Sequence, residues 1–107
     1  MISIIIPLYN KEQSIEKTIS SVLFQTFGQF ELIIVDDGST DQSVTVVKKM
    51  DDNRIRLVEK ANGGVSSARN RGVLESNYEW IAFLDADDLW HKDFLRNIVN
   101  VINSVKN

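Results

Sequence analysis

Phe30-Glu31-Leu32-Ile33-Ile34-Val35-Asp36-Asp37-Gly38-Ser39-Thr40-Asp41 decides how this chain folds. Leu32 to Val35 is an unbroken apolar run, rich in β-branched residues and too short for a buried helix. It reads as a strand covered on both faces. Asp36-Asp37-Gly38 stops it with turn chemistry. Ser39 followed three residues later by Gln42 makes a capping box, which predicts a helix to about Met50. A doubly covered strand leading directly into a helix is half of a parallel βαβ unit.

The same grammar extends in both directions. Upstream, Ile2 to Ile6 is a nearly continuous apolar strand closed by Pro7, and from Lys11 the period changes. Ile15, Ile19, Val22 and Leu23 then fall at i, i+4, i+7 and i+8, one face of an amphipathic helix. Downstream, Arg54 to Glu59 alternates, with Ile55, Leu57 and Glu59 on one face; it reads as a third strand, less buried and near an edge. Asn62-Gly63-Gly64 is a turn before a polar helix from about Val65 to Glu75. Glu79 to Leu84 is the fourth strand, ended by Asp85-Ala86-Asp87-Asp88. A last helix from about His91 to Val105 carries Phe94, Leu95, Ile98, Val99, Val101, Ile102 and Val105. Strands alternating with helices specify an α/β fold with a mostly parallel sheet and right-handed crossovers.

A length of 107 residues is one domain or a piece of one, and 43% hydrophobic residues are enough for a core, so disorder is excluded. The absence of cysteine rules out disulfides and thiolate metal sites. No apolar run approaches the roughly 20 residues of a membrane span, and Met1 to Pro7 lacks the basic flank of a secretory signal. The expectation is a cytoplasmic protein, with association to a membrane surface left open. A net charge of −3 argues against a general nucleic-acid binder. Acids cluster instead at Asp36-Asp37 and at Asp85, Asp87 and Asp88, while Lys48, Lys49, Arg54, Arg56, Lys60, Arg69 and Arg71 gather in one stretch.

In parallel α/β sheets ligands bind outside the carboxyl ends of the strands, near the switch in strand order. Tyr9, Asp36-Asp37 and Asp85-Asp87 each follow an apolar strand, so three loops are expected on one rim. Asp85 and Asp87 suit Mg²⁺ or Mn²⁺, which take a few carboxylates and leave room for water and phosphate; alternatively Asp87 or Asp88 caps the last helix. Asp36 and Asp37 either make the turn or accept from a ribose hydroxyl or a base N–H. The segment Asn62 to Gly72 offers amide N–H groups, a helix start, Arg69 and Arg71 to a phosphate, or is a solvated basic helix. Tyr9 stacks on a base or fills the core. His91 reads as surface, and Trp80 and Trp90 as packing.

Together, Ser3-Ile4-Ile5-Ile6-Pro7-Leu8-Tyr9-Asn10, Phe30 to Asp41, Asn62 to Gly72 and Phe83-Leu84-Asp85-Ala86-Asp87-Asp88 resemble the family 2 glycosyltransferases with the GT-A fold. These segments span nearly the whole chain. The resemblance implies a Rossmann-like sheet of order 3-2-1-4 with helices on both faces, the nucleotide-binding half of that fold. It implies that Pro7 and Tyr9 flank the base and that Asp37, with Asp36, hydrogen-bonds it. Arg69 and Ala86 then belong to the nucleotide site, Asp85 reaches the ribose or the metal, and Asp87 ligates the metal. The implied donor is a nucleotide sugar, most often a UDP-sugar, and the acceptor a carbohydrate or lipid-linked hydroxyl, in the setting of polysaccharide synthesis.

Family members continue with an acceptor half and a carboxylate general base, so residues 1–107 are expected to be the donor-binding part, with the base beyond residue 107. An open fourth-strand edge then invites self-association. Two other readings compete. A phospho-receiver domain also joins acids at strand ends, here Asp37 and Asp85, but its paired acids close the first strand and it needs two further strands. A catalytically silent nucleotide-binding module shares the fold. A nucleotidyltransferase would need a glycine-rich phosphate loop after the first strand, which is missing.

Overall fold

The computed structural model of the protein describes residues 1–106. Strands and helices alternate: β1 (Ile2–Leu8), α1 (Ile15–Leu23), β2 (Phe30–Asp37), α2 (Ser43–Lys48), β3 (Ile55–Lys60), α3 (Val65–Glu75), β4 (Trp80–Phe83) and α4 (Phe94–Lys106). The four strands form one parallel sheet in the order β3-β2-β1-β4. This is the expected order, and it disposes of the receiver reading, whose doubly wound sheet runs 2-1-3-4-5. No helix among the described residues is long and apolar enough to cross a membrane.

Alternation along the central strands builds two cores. Ile2, Ile4, Ile6 and Leu8 of β1, with Leu32 and Ile34 of β2, pack against Ile15, Ile19 and Val22 of α1, Val47 of α2 and Leu95 of α4. On the other face Ile5, Ile33 and Val35 meet Ala68 of α3. Both faces of β1 and β2 are therefore dry, which is why these strands read as apolar runs. α3 lies very close to β1: a Cβ on Gly72 would collide with the Ile5 side chain.

Several boundaries differ from the sequence reading. β1 runs through Pro7, which pairs with Val35. The Ile5 carbonyl accepts the N–H of Leu84 on the β4 side, so Pro7, two residues on, turns its nitrogen to that side. The ladder with β4 ends at Ile5–Phe83, so no partner there lacks a donor. The capping box from Ser39 to Gln42 does not form. Ser39 Oγ accepts the N–H of Asn10, and α2 starts four residues later, with Asp41 accepting the N–H of Ser43. α4 begins at Phe94 rather than near His91, so neither Asp87 nor Asp88 caps it. Leu95 is fully buried, while Val101 and Val105 are 63% and 79% exposed; α4 is anchored at its start and leaves the core toward its end.

Candidate active site

Strand order reverses between β1 and β4, and the carboxyl ends there open into a cavity of about 570 Å³. Pro7, Leu8, Tyr9 and Lys11 line it from β1 and its loop, and Asp37 from β2. Asn62, Gly64, Val65, Ala68 and Arg69 contribute from the turn and α3, and Asp85, Ala86 and Asp87 from the loop after β4. The three loops expected on one rim do meet. Tyr9 is half exposed in this cavity, which excludes it as core filler.

Of the residues that the resemblance places in the site, Asp36 alone does not line the cavity; Arg71, offered to a phosphate beside Arg69, bonds Glu75 instead. Successive strand residues face opposite sides: Asp37 shares the α3 face with Ile33 and Val35, and Asp36 shares the opposite face with Ile34. Asp36 is buried, with Oδ2 accepting the Ser39 N–H at 3.2 Å and Oδ1 without a partner. Of the two acids expected beside a base, only Asp37 lines the cavity.

Asp37 is only 3% exposed and heavily bonded. Oδ1 accepts from Lys60 Nζ at 2.8 Å and the Gly63 N–H at 2.9 Å; Oδ2 accepts from the Gly64 N–H at 2.9 Å and Asn62 Nδ2 at 3.4 Å. Burial pushes this carboxyl upward, but the Lys60 ammonium and the two glycine amides outweigh it and hold its pKa below the usual value. The amides of Gly63 and Gly64, read as open to a phosphate, are thus already committed to Asp37. Gly38, with φ of +79°, passes close beneath: a Cβ there would lie 2.8 Å from the Asn62 nitrogen.

The acids after β4 are open. Asp85 and Asp87 side chains are 54% and 57% exposed, and each meets a cation across the cavity. Arg69 Nη2 lies 3.2 Å from Asp85, and Lys11 Nζ 3.7 Å from Asp87; Arg69 Nε is buried without a partner. The Asp85–Asp88 turn is closed by its own backbone bond and held from α1. Ser14 Oγ donates to the Ala86 carbonyl at 2.9 Å. Thr18 Oγ1 lies 3.0 Å from that carbonyl and 2.7 Å from the carbonyl of Asp88. No group of three or more His, Cys, Asp or Glu among the described residues could hold a metal. Asp85 and Asp87 do match an ion that takes one or two carboxylates and completes its shell with water and phosphate.

The model of the family named "Glycosyl transferase family 2" matches residues 3–106. The chain belongs to glycosyl transferase family 2. An uncharacterized glycosyltransferase of Rickettsia felis is 46% identical over 95 residues, covering 86% of this chain and 15% of its own length. The crystal structure of S. aureus TarS 1-349 in complex with UDP-GlcNAc superposes with a TM-score of 0.89 at 32% identity, over 96% of this chain and 31% of that one. The mannosyltransferase PcManGT from Pyrobaculum calidifontis, in complex with GDP-Man and Mn²⁺, gives 0.85 at 29% identity, over 92% and 31%. The chain thus spans about a third or less of the proteins it matches, and its sheet is the GT-A type expected.

Within this family-2 frame, several residues escaped the sequence reading. Ser14, Thr18, Ser21 and Gln25 recur at the same spacing as the apolar stripe of α1, and all four bond to the segment after β4. Ser21 Oγ accepts the Trp90 N–H, and Gln25 bonds the His91 carbonyl and the Leu95 N–H. The spacing was visible; its partners, some 70 residues away, were not. Asn10, with φ of +49°, ties the loop after β1 to the loop after β2. Its Oδ1 accepts the N–H groups of Thr40 and Asp41 at 2.8 and 3.3 Å. Asp93, the remaining acid near the last helix, accepts from Thr26 Oγ1 at 2.8 Å outside the cavity.

Proposed function

We infer that this cavity binds a nucleotide-sugar donor, a UDP-sugar in the first instance, for transfer of the sugar to a carbohydrate or lipid-linked acceptor hydroxyl with inversion. One observation carries the reading: Tyr9, Asp37, Arg69, Asp85 and Asp87 converge on a single cavity at the switch point of the sheet. The family membership and the UDP-GlcNAc held by TarS support it.

Each residue has a task its environment suits. Tyr9, on the rim beside Pro7, presents an aromatic face for a base to stack on. Asp37, kept ionised by Lys60 and the glycine amides, has acceptor capacity left on Oδ2, where Asn62 is the long partner at 3.4 Å; a base N–H fits there. Arg69, with Nε unpaired, offers a donor to a phosphate. Asp85 and Asp87 would hold Mg²⁺ or Mn²⁺, which when bound supplies Lewis-acid stabilisation of charge on a departing diphosphate. Ala86, between them, lines the cavity and is tied to Ser14 and Thr18 through its carbonyl. The open edge of β4 would pair two copies.

Calorimetric titration with UDP and UDP-sugars, with and without Mn²⁺, tests the assignment. Ion-dependent UDP binding that Asp87→Ala abolishes is the expected result. Ion-independent binding, or binding that survives Asp87→Ala unchanged, would remove the metal from the reading.

A further inference from the structure

Lys11 has no role in the functions assigned so far, yet it lines the cavity and faces Asp87. Its backbone is fixed on both sides. The Lys11 N–H donates to Ser43 Oγ at 2.9 Å, and Ser43 is wholly buried. The Lys11 carbonyl accepts the N–H groups of Ser14 and Ile15 at 3.1 and 2.9 Å. Asn10 before it is locked in the left-handed region by the loop after β2. The side chain of Lys11 is 45% exposed, and its ammonium lies over the turn at 3.7 Å from Asp87.

The pair it makes is built to be given up. At 3.7 Å, with side chains 45% and 57% exposed, the contact is a solvated ion pair. Such pairs contribute little and break easily. A lysine ammonium is also a compact charge on a flexible stem, suited to changing partner, where an arginine fork is not. The cavity must accept two opposite charges, a dication and a diphosphate, using carboxylates that already have cations beside them.

Resting on the donor-site reading above, we propose that Lys11 is a diphosphate-binding residue that guards Asp87 in the free protein. When a divalent ion takes the carboxylate, the ammonium is displaced toward the phosphates that ion brings. The hand-over keeps the site near neutral before and after loading, so neither ligand meets an uncompensated field.

Calorimetry on the whole chain tests this with Mn²⁺ alone and then with UDP at saturating Mn²⁺. Lys11→Met keeps the backbone contacts that fix the loop, and its melting temperature should match that of the wild type. It should bind Mn²⁺ alone roughly three- to fivefold more tightly, because a competing cation is gone, and UDP weaker by a similar factor. Lys11→Arg keeps the charge but releases the carboxylate less readily, so it should bind Mn²⁺ alone more weakly than the wild type. In an Asp87→Asn background, Lys11→Met should no longer raise Mn²⁺ affinity. Unchanged Mn²⁺ and UDP affinities in Lys11→Met, with normal UDP binding by the wild type, overturn the role of Lys11 and leave the donor site standing. A wild type that binds no UDP in Mn²⁺ overturns both.

Discussion

Asp37 holds the floor of the cavity by bringing together a lysine from β3, the Asn62-Gly63-Gly64 turn and the start of α3. Its carboxylate sits against a helix N-terminus, where negative charge is favoured. Asp37→Asn would lose the charge that pairs with Lys60, whose side chain is only 15% exposed. Leaving such a cation without its partner costs about 3 kcal/mol. The effect should depend on pH. The folded pKa of Asp37 lies below its unfolded value, so the unfolded chain takes up the proton more readily and stability falls with acidity. The contribution is complete above the ordinary value of about 4 and disappears as pH drops through the folded value. Thermal melts of the wild type and Asp37→Asn should therefore differ by a constant gap from neutrality to about pH 5, and the gap should close below about pH 4. A gap that widens in acid would show that the carboxylate is not held in its ionised form by these partners.

α1 shows how one element serves two purposes, because two stripes run along it. Ile15, Ile19 and Val22 face the sheet, and Ser14, Thr18, Ser21 and Gln25 hold the chain after β4 through backbone carbonyls and amides. Thr18 is wholly buried. Thr18→Val keeps the volume but leaves the Asp88 carbonyl without its donor, at a cost of roughly 1–2 kcal/mol. The damage should reach the site. Melting temperature should fall and Mn²⁺ affinity should weaken in Thr18→Val, whereas Ser20→Ala on the same helix should change neither; intact Mn²⁺ affinity in a destabilised Thr18→Val would mean that the acidic turn does not depend on this bond. The same helix explains what could be read in advance. The apolar stripe and the strand runs are local patterns with a fixed period, so four strand–helix pairs and the position of the acids were legible. Which of Asp36 and Asp37 faces the cavity depends on the side of the sheet that α3 covers. Whether Ser39 caps a helix depends on Asn10, about thirty residues upstream. The polar residues of α1 carry no local signal of their role, because their partners come from the far end of the chain.

At the scale of the whole molecule, the sheet is unevenly protected. β3, the edge on one side, is short and carries Arg56, Glu59 and Lys60, charges that discourage a further strand. β4, the edge on the other side, reads Trp80-Ile81-Ala82-Phe83 without a charge, and Phe83 is 46% exposed. α4 carries Val101 and Val105 into solvent as well. An edge strand of only four residues gives a second copy few hydrogen bonds, so pairing through β4 alone would be weak. The exposed apolar residues at the end of α4 add area that association can cover. The combination predicts reversible self-association of residues 1–107, with a sedimentation coefficient that rises from micromolar to submillimolar concentration. Phe83→Lys places a charge on the β4 edge without touching either buried core, and should return the protein to a monomer across that range. A wild type that already sediments as a monomer throughout would mean that the shortness of β4 suffices to blunt the edge. Concentration dependence that survives Phe83→Lys but vanishes in Val105→Glu would move the contact from the strand to the end of α4.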